Sequence, residues 1–292
     1  MTPATGRPAT RIVVAGYGTI TAAIIPHLLS LPGAAVGIVS RHLAASPQER
    51  AELLRPAELG PFAPDVLIGC FASDDDARSF WEHDQIEAAI STRRPVCIDL
   101  STISPGRAEA WAARTTALGA LPVECPVTGS RPGAIAGTLS AFLHEPHPDP
   151  RTDLVLGAFV RNRYRFTAPG QPARFKLIYN AWGATILHSL GVFARELPKH
   201  LGPDDYPTAV DAITHDGWMS VIASAKLDRI ERGDYGDPDF TVGLMLKDLL
   251  LARDLIGPGP LVDAAISAFT RACTDHGQRA DFTAVADMRD AA

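Results

Sequence analysis

Between residues 11 and 124 the chain repeats one pattern, a run of four to six almost wholly apolar residues followed by a stretch of helical periodicity. The apolar runs are 11–15, 35–40, 65–70, 95–99 and 121–124; helix candidates at 20–31, 74–91 and 105–118 fall between them. A strand that is apolar on both faces must be covered on both faces, as in a parallel sheet packed between helices. Parallel neighbours need a crossover, which is right-handed and usually helical. The pattern therefore predicts an α/β fold with a doubly wound parallel sheet.

Past about residue 170 the periodicity becomes helical. Residues 172–196 read as one long helix halted by Pro198, and 206–232 as one or two helices interrupted at 215–217. Residues 239–255 and 261–276 read as two more, separated by the stop Gly257-Pro258-Gly259-Pro260. The expected organisation is a disordered N-terminus over 1–10, a Rossmann-type doubly wound α/β domain over 11–169, and an all-helical C-terminal domain over 170–292. Residues 144–151, with their prolines and charges, read as a loop near the end of the first domain.

With 46% hydrophobic and 21% charged residues, the 292-residue chain can bury a sizeable core. A net charge of −6 gives no basic patch for nucleic acid or an anionic membrane. No run approaches the roughly 18 apolar residues of a membrane span, and the apolar run at 12–15 is too short for a signal peptide. Cys70, Cys97, Cys125 and Cys273 are dispersed, which reads as reduced thiols in the cytoplasm. Nine histidines show no ligand spacing, so no metal is expected.

Gly16-Tyr17-Gly18-Thr19-Ile20-Thr21 follows the first apolar run and opens the first helix. Two glycines permit a tight turn and close backbone approach to a pyrophosphate, and the helix N-terminus supplies free N–H groups. Thr21 replaces the third glycine of the usual fingerprint. Gly-x-Gly alone is weak; its place between strand and helix favours dinucleotide binding over a plain turn. The second strand ends at Ser40-Arg41-His42. An NAD-selective site usually carries Asp or Glu there for the ribose 2′-hydroxyl. Here Ser40 takes that place and Arg41 follows, a guanidinium suited to a 2′-phosphate, so NADP is favoured over NAD. In a chain so rich in arginine, Arg41 also reads as an ordinary loop residue.

Arginine supplies 23 of the 27 basic side chains, and the first 175 residues contain no lysine. Lys176 opens Lys176-Leu177-Ile178-Tyr179-Asn180, which puts an ammonium and an amide on one helix face. Lysine can be tuned towards neutrality and pass a proton, whereas arginine cannot. An unperturbed lysine, with a pKa of about 10.4, is a poor base at neutral pH, so the role requires burial or a nearby cation. The bland reading is a snorkelling surface lysine.

Three further motifs complete the set. Ser101-Thr102-x-x-Pro105 follows a strand and reads as a helix cap or the edge of a cleft. Pro126-Val127-Thr128-Gly129-Ser130, leading into Gly133-Ala134-Ile135-Ala136-Gly137-Thr138-Leu139, reads as a turn or a carboxylate cradle. Lys247-Asp248 lies inside an apolar helix; adjacent helical side chains do not face each other, so the two are expected to have separate partners.

In this order the motifs resemble the β-hydroxyacid dehydrogenase family, which includes 3-hydroxyisobutyrate dehydrogenases and is related to 6-phosphogluconate dehydrogenase. The resemblance runs from residue 11 to about 255. It implies Lys176 as catalytic acid/base with Asn180 orienting substrate, and Thr128, Gly129 and Ser130 gripping a substrate carboxylate. It implies Phe71, Thr102 and Lys247 against the cofactor, beside Gly16, Tyr17, Gly18, Thr19, Ile20, Ser40 and Arg41. The implied protein is an NADP-dependent oxidoreductase acting on a small carboxylate-bearing alcohol or carbonyl. It would be a homodimer or homotetramer built through a helical domain that closes over the cleft. Ser130, Pro172 and Tyr179 depart from the family pattern, as does His144-Glu145-Pro146 where Gly-Gly is usual; these bear on the substrate more than on the fold. The alternatives are a C=N reductase on the related imine-reductase scaffold and a non-catalytic NADP-binding protein.

Overall fold

The structure, a computed structural model, describes residues 10–287, so the terminus expected to be disordered lies, Thr10 apart, outside the described residues. Two compact units divide between Lys176 and Leu177.

The first unit opens with β1 (Arg11–Ala15), α1 (Thr19–Leu29), β2 (Ala35–Val39), β3 (Ala51–Leu54), α2 (Leu59–Phe62) and β4 (Val66–Gly69). It continues through α3 (Asp74–Trp81), α4 (Asp84–Arg93), β5 (Val96–Asp99), α5 (Pro105–Ala117) and β6 (Leu121–Glu124). The six strands form one parallel sheet in the order β3-β2-β1-β4-β5-β6. Alternate residues of β1 serve opposite cores. Ile12 and Val14 pack with Ile24, Leu28 and Phe159, while Val13 and Ala15 pack with Leu67, Trp81 and Trp111. Two-sided burial is why the strands read as continuous apolar runs. The strand order reverses at β1, whose neighbours are β2 and β4, and the crevice at the carboxyl ends of these strands is where such sheets bind ligands.

A second sheet follows, made of β7 (Val127–Thr128), β8 (Leu139–Leu143) and β9 (Val160–Arg165), with α6 (Ser130–Ile135) and α7 (Pro150–Leu156) between its strands. The helix expected over 74–91 is two helices. His83 starts the second by accepting a bond from the Gln85 N–H through its ring Nδ1 at 3.3 Å. The loop expected over 144–151 is shorter: His144 bridges to Glu124, and α7 begins at Pro150, capped by the Asp149 carboxylate. The second sheet has no counterpart in the sequence reading, because a strand such as Val-Arg-Asn-Arg-Tyr-Arg is neither apolar nor alternating.

The long helix α8 (Gln171–His200) runs from one unit into the other. Its beginning belongs to the first unit for a physical reason. The buried Glu124 carboxylate accepts the N–H of Gly170 at 2.6 Å and of Ala173 at 2.9 Å, and Arg174 pairs with Glu109 at 2.7 Å. Pro198 does not halt α8. It removes one donor near the end, and the turn survives because the Leu197 carbonyl is taken by the Leu201 N–H at 2.9 Å.

The second unit adds α9 (Tyr206–His215), α10 (Ser220–Arg232), α11 (Val242–Ile256) and α12 (Pro260–His276). Leu177, Ala184, Leu187 and Leu190 of α8 share a core with Met245, Leu249 and Phe269. By length and composition α8 would suffice to cross a membrane, contrary to the sequence expectation that no stretch would. Its buried face has the packing of a core helix.

Candidate active site

The dinucleotide loop sits at the carboxyl end of β1. Gly16 has φ +84°, and a Cβ there would lie 2.3 Å from the Cys70 carbonyl oxygen. Only glycine allows the chain to turn this close to β4. At Gly18, by contrast, a Cβ would meet nothing within 4 Å, so space lies open in front of the first turn of α1. Thr21, fully buried, holds that turn: its Oγ1 accepts the Gly18 N–H at 2.8 Å and donates to the Gly18 carbonyl at 3.2 Å. The threonine in the third glycine's place thus acts as a cap. A tight turn, an open approach and the free N–H groups of a helix start are the features a pyrophosphate requires, so these residues fit a dinucleotide.

The other cofactor candidates of the first unit lie at neighbouring strand ends. Ser40 and Arg41 follow β2, where the Ser40 Oγ accepts the His42 N–H at 3.2 Å. The Arg41 guanidinium is in an ion pair with Asp76, a residue the sequence reading did not single out. Phe71 follows β4 and Thr102 follows β5. These two loops are tied together: the Phe71 N–H donates to the Ser101 Oγ at 2.8 Å. The Ser101 N–H donates to Asp99 Oδ1 at 2.8 Å, and the indole N–H of Trp81 donates to Asp99 Oδ2 at 2.8 Å. Burial pushes the Asp99 carboxyl above its ordinary range, while the bonds from Ser101 and Trp81 pull the other way.

Thr128 ends β7, paired in register with Ser140, and Gly129 then turns with φ +120°. Ser130 follows at φ +52°, in the left-handed region that favours glycine. Holding a serine there costs on the order of 1 kcal/mol.

Lys176 and Asn180 occupy one face of α8 and are 6% and 8% exposed. The Asn180 side chain is fixed within the second unit: its Nδ2 donates to Asp248 Oδ2 at 2.6 Å. Lys247 Nζ lies 2.8 Å from Asp248 Oδ1. Lys247 and Asp248 were expected to have separate partners; Asp248 has one in Asn180, but Lys247 also reaches Asp248 itself. Their Cβ atoms diverge on the helix, but the four-carbon lysine stem folds back to the neighbouring carboxylate. Asp248, 1% exposed, thereby holds Lys247 and Asn180 together.

The family pattern of the NAD binding domain of 6-phosphogluconate dehydrogenase matches residues 33–144. The chain is 29% identical over 234 residues to L-threonate dehydrogenase of Cupriavidus necator, covering 77% of each protein. The fold is shared with 3-hydroxyisobutyrate dehydrogenase from Salmonella typhimurium, at a TM-score of 0.75 and 21% identity over 96% of this chain and 100% of that one. The 3-hydroxyisobutyrate dehydrogenase of Mycobacterium tuberculosis, solved with L-serine, gives a TM-score of 0.73 and 24% identity over 95% and 98% of the two chains. With the Gly16–Gly18 turn at the reversal point of a 3-2-1-4-5-6 sheet, these likenesses support a β-hydroxyacid dehydrogenase-like, NAD(P)-binding oxidoreductase.

Proposed function

We propose that the protein interconverts a small carboxylate-bearing alcohol of the 3-hydroxyacid type and its carbonyl form, with NADP(H) preferred over NAD(H). The observation that carries this is the pairing of Lys176 with Asn180: two polar side chains withdrawn from solvent on one face of α8, one of them anchored by a buried carboxylate. An amine beside an amide suits proton transfer at a hydroxyl. The likeness to L-threonate dehydrogenase, named for a hydroxyacid, supports the same substrate class.

In this reading the nicotinamide, when bound, accepts hydride from the alcohol carbon or returns it to the carbonyl. Gly16, Tyr17, Gly18, Thr19 and Ile20 hold the pyrophosphate, and Ser40 and Arg41 meet the adenosine ribose. Phe71 and Thr102 border the cofactor. Thr128, Gly129 and Ser130 bind the substrate carboxylate through a hydroxyl-lined turn. Lys176 Nζ takes the hydroxyl proton in oxidation and gives it back in reduction, and Asn180 orients the reacting oxygen. Trp182, Phe193, Trp218 and Val221 of the helical unit are exposed apolar side chains, which supports assembly as a homodimer or homotetramer through that unit.

The test follows NADPH and NADH absorbance against short 3-hydroxyacids, their aldehydes and keto acids, and cyclic imines. Hydroxyacid turnover that collapses in Lys176→Ala supports the reading. Imine turnover without hydroxyacid turnover assigns the protein to C=N reduction, and binding without any turnover makes it a non-catalytic NADP-binding protein.

A further inference from the structure

We propose that Asp76 is the second half of a cofactor-discriminating pair. Arg41 takes the 2′-phosphate of NADP(H), Asp76 accepts the 2′-hydroxyl of NAD(H), and their balance sets how strongly the phosphorylated cofactor is preferred. The inference rests on the reading that a dinucleotide lies along the Gly16–Thr21 loop.

The end of β2 lacks the carboxylate that would hold an unphosphorylated ribose, because Ser40 stands there. The fold brings one from elsewhere. Asp76 lies in the first turn of α3, and its carboxylate meets the Arg41 guanidinium one residue past Ser40. Three aspartates begin that helix, and they are not interchangeable. Asp74 accepts the Ser104 backbone N–H at 2.9 Å and the Ser104 hydroxyl, while Asp75 pairs with Arg78 at 2.9 Å. Only Asp76 is turned towards Arg41.

Asp76 is also held in place independently of Arg41. Its Oδ2 accepts the Ser73 hydroxyl at 2.9 Å, and its N–H donates to the Ser73 Oγ at 3.1 Å, a reciprocal cap at the start of α3. The carboxylate is thus a fixed acceptor, and the Arg41 side chain is the more exposed partner, 65% against 29% for Asp76. A fixed anion beside a guanidinium has opposite effects on the two cofactors. It repels a 2′-phosphate and competes with it for Arg41, yet it offers the 2′-hydroxyl an acceptor.

The test is equilibrium binding of NADPH and of NADH, by nucleotide fluorescence or calorimetry, to the wild-type protein, Asp76→Asn and Arg41→Ala. Asparagine keeps an oxygen for the Ser73 cap, so α3 should persist, and melting curves check it. Asp76→Asn is expected to tighten NADPH by about two- to fivefold, the scale of a solvent-exposed charge contact, and to weaken NADH. Arg41→Ala is expected to move the ratio the other way, mainly by weakening NADPH. If Asp76→Asn leaves both constants unchanged, or shifts both in the same direction, Asp76 is a helix cap with a surface ion pair and the proposal is overturned. A wild-type protein that binds neither cofactor overturns the proposal together with the dinucleotide reading.

Discussion

Asn180 donates its side-chain amide to the carboxylate of Asp248 at 2.6 Å, joining two helices across 68 residues of sequence. Asp248 is 1% exposed and carries Lys247 on its other oxygen, so it is a buried anion stabilised by one amide and one ammonium. Asp248→Ala would leave the Asn180 amide without its acceptor. The expected cost is roughly 2–4 kcal/mol, read as a lower midpoint in urea unfolding. Asp248→Asn keeps the shape and one acceptor, and should cost less. If the alanine variant were as stable as the parent, the carboxylate would not be what fixes Asn180.

Lys176→Ala should lower turnover by about 10²- to 10⁴-fold, the usual worth of a positioned acid or base. Its affinity for NADPH should stay close to that of the parent. Lys176→Arg should fail as well, because a guanidinium does not release its proton at working pH. Steady-state rates read beside nucleotide binding separate these outcomes. An arginine variant that kept most of its rate would mean that charge, and not proton transfer, is what the position supplies.

Gly16→Ala and Gly18→Ala should behave differently although they are two residues apart. At Gly16 the new methyl would sit 2.3 Å from the Cys70 carbonyl oxygen, with a backbone φ of +84°. A destabilisation of about 2–4 kcal/mol and loss of dinucleotide binding are expected. At Gly18 the methyl meets open space and the φ of −113° suits any residue, so the fold should lose less than about 1 kcal/mol. Nucleotide affinity should still fall, because the methyl occupies the approach to the α1 N-terminus. Melting curves and binding isotherms on the two variants make the comparison.

These residues show what a single sequence discloses. Strands β1 and β6 were readable to the residue because burial on both faces makes their composition uniform. The break between α3 and α4 was not, since Glu82-His83 carries neither glycine nor proline. In the site, Gly16, Gly18 and the Lys176–Asn180 spacing are local patterns and stood out. Asp76 did not stand out, because its contact with Arg41 spans 35 residues and only folding creates it. Glu124, meeting Gly170 from 46 residues away, gave no local signal at all. The reach of Lys247 to Asp248 was missed because helical geometry at Cβ says little about where a long flexible side chain ends.

Glu124 gives the fold a pH dependence whose sign follows from its surroundings. Burial lifts its carboxyl from 4.5 to about 7, against the pull of the Gly170 and Ala173 N–H bonds, and the Asp99 and Glu109 carboxyls add to the lift. Asp99 is its register partner on β5. A group raised on folding binds its proton more tightly in the native state, so its contribution is fully present below about pH 4.5 and is lost as pH rises through about 7. The shift corresponds to about 3 kcal/mol of stability lost across that window. Urea unfolding at pH 5 and pH 7.5 measures it. Glu124→Gln cannot titrate and should flatten much of the slope; Asp99, whose burial raises its carboxyl, keeps part of it, and His188, whose burial lowers its imidazole, opposes it. Parallel curves for the two proteins would show that Glu124 is ionised throughout, and that the start of α8 is held by a permanent carboxylate.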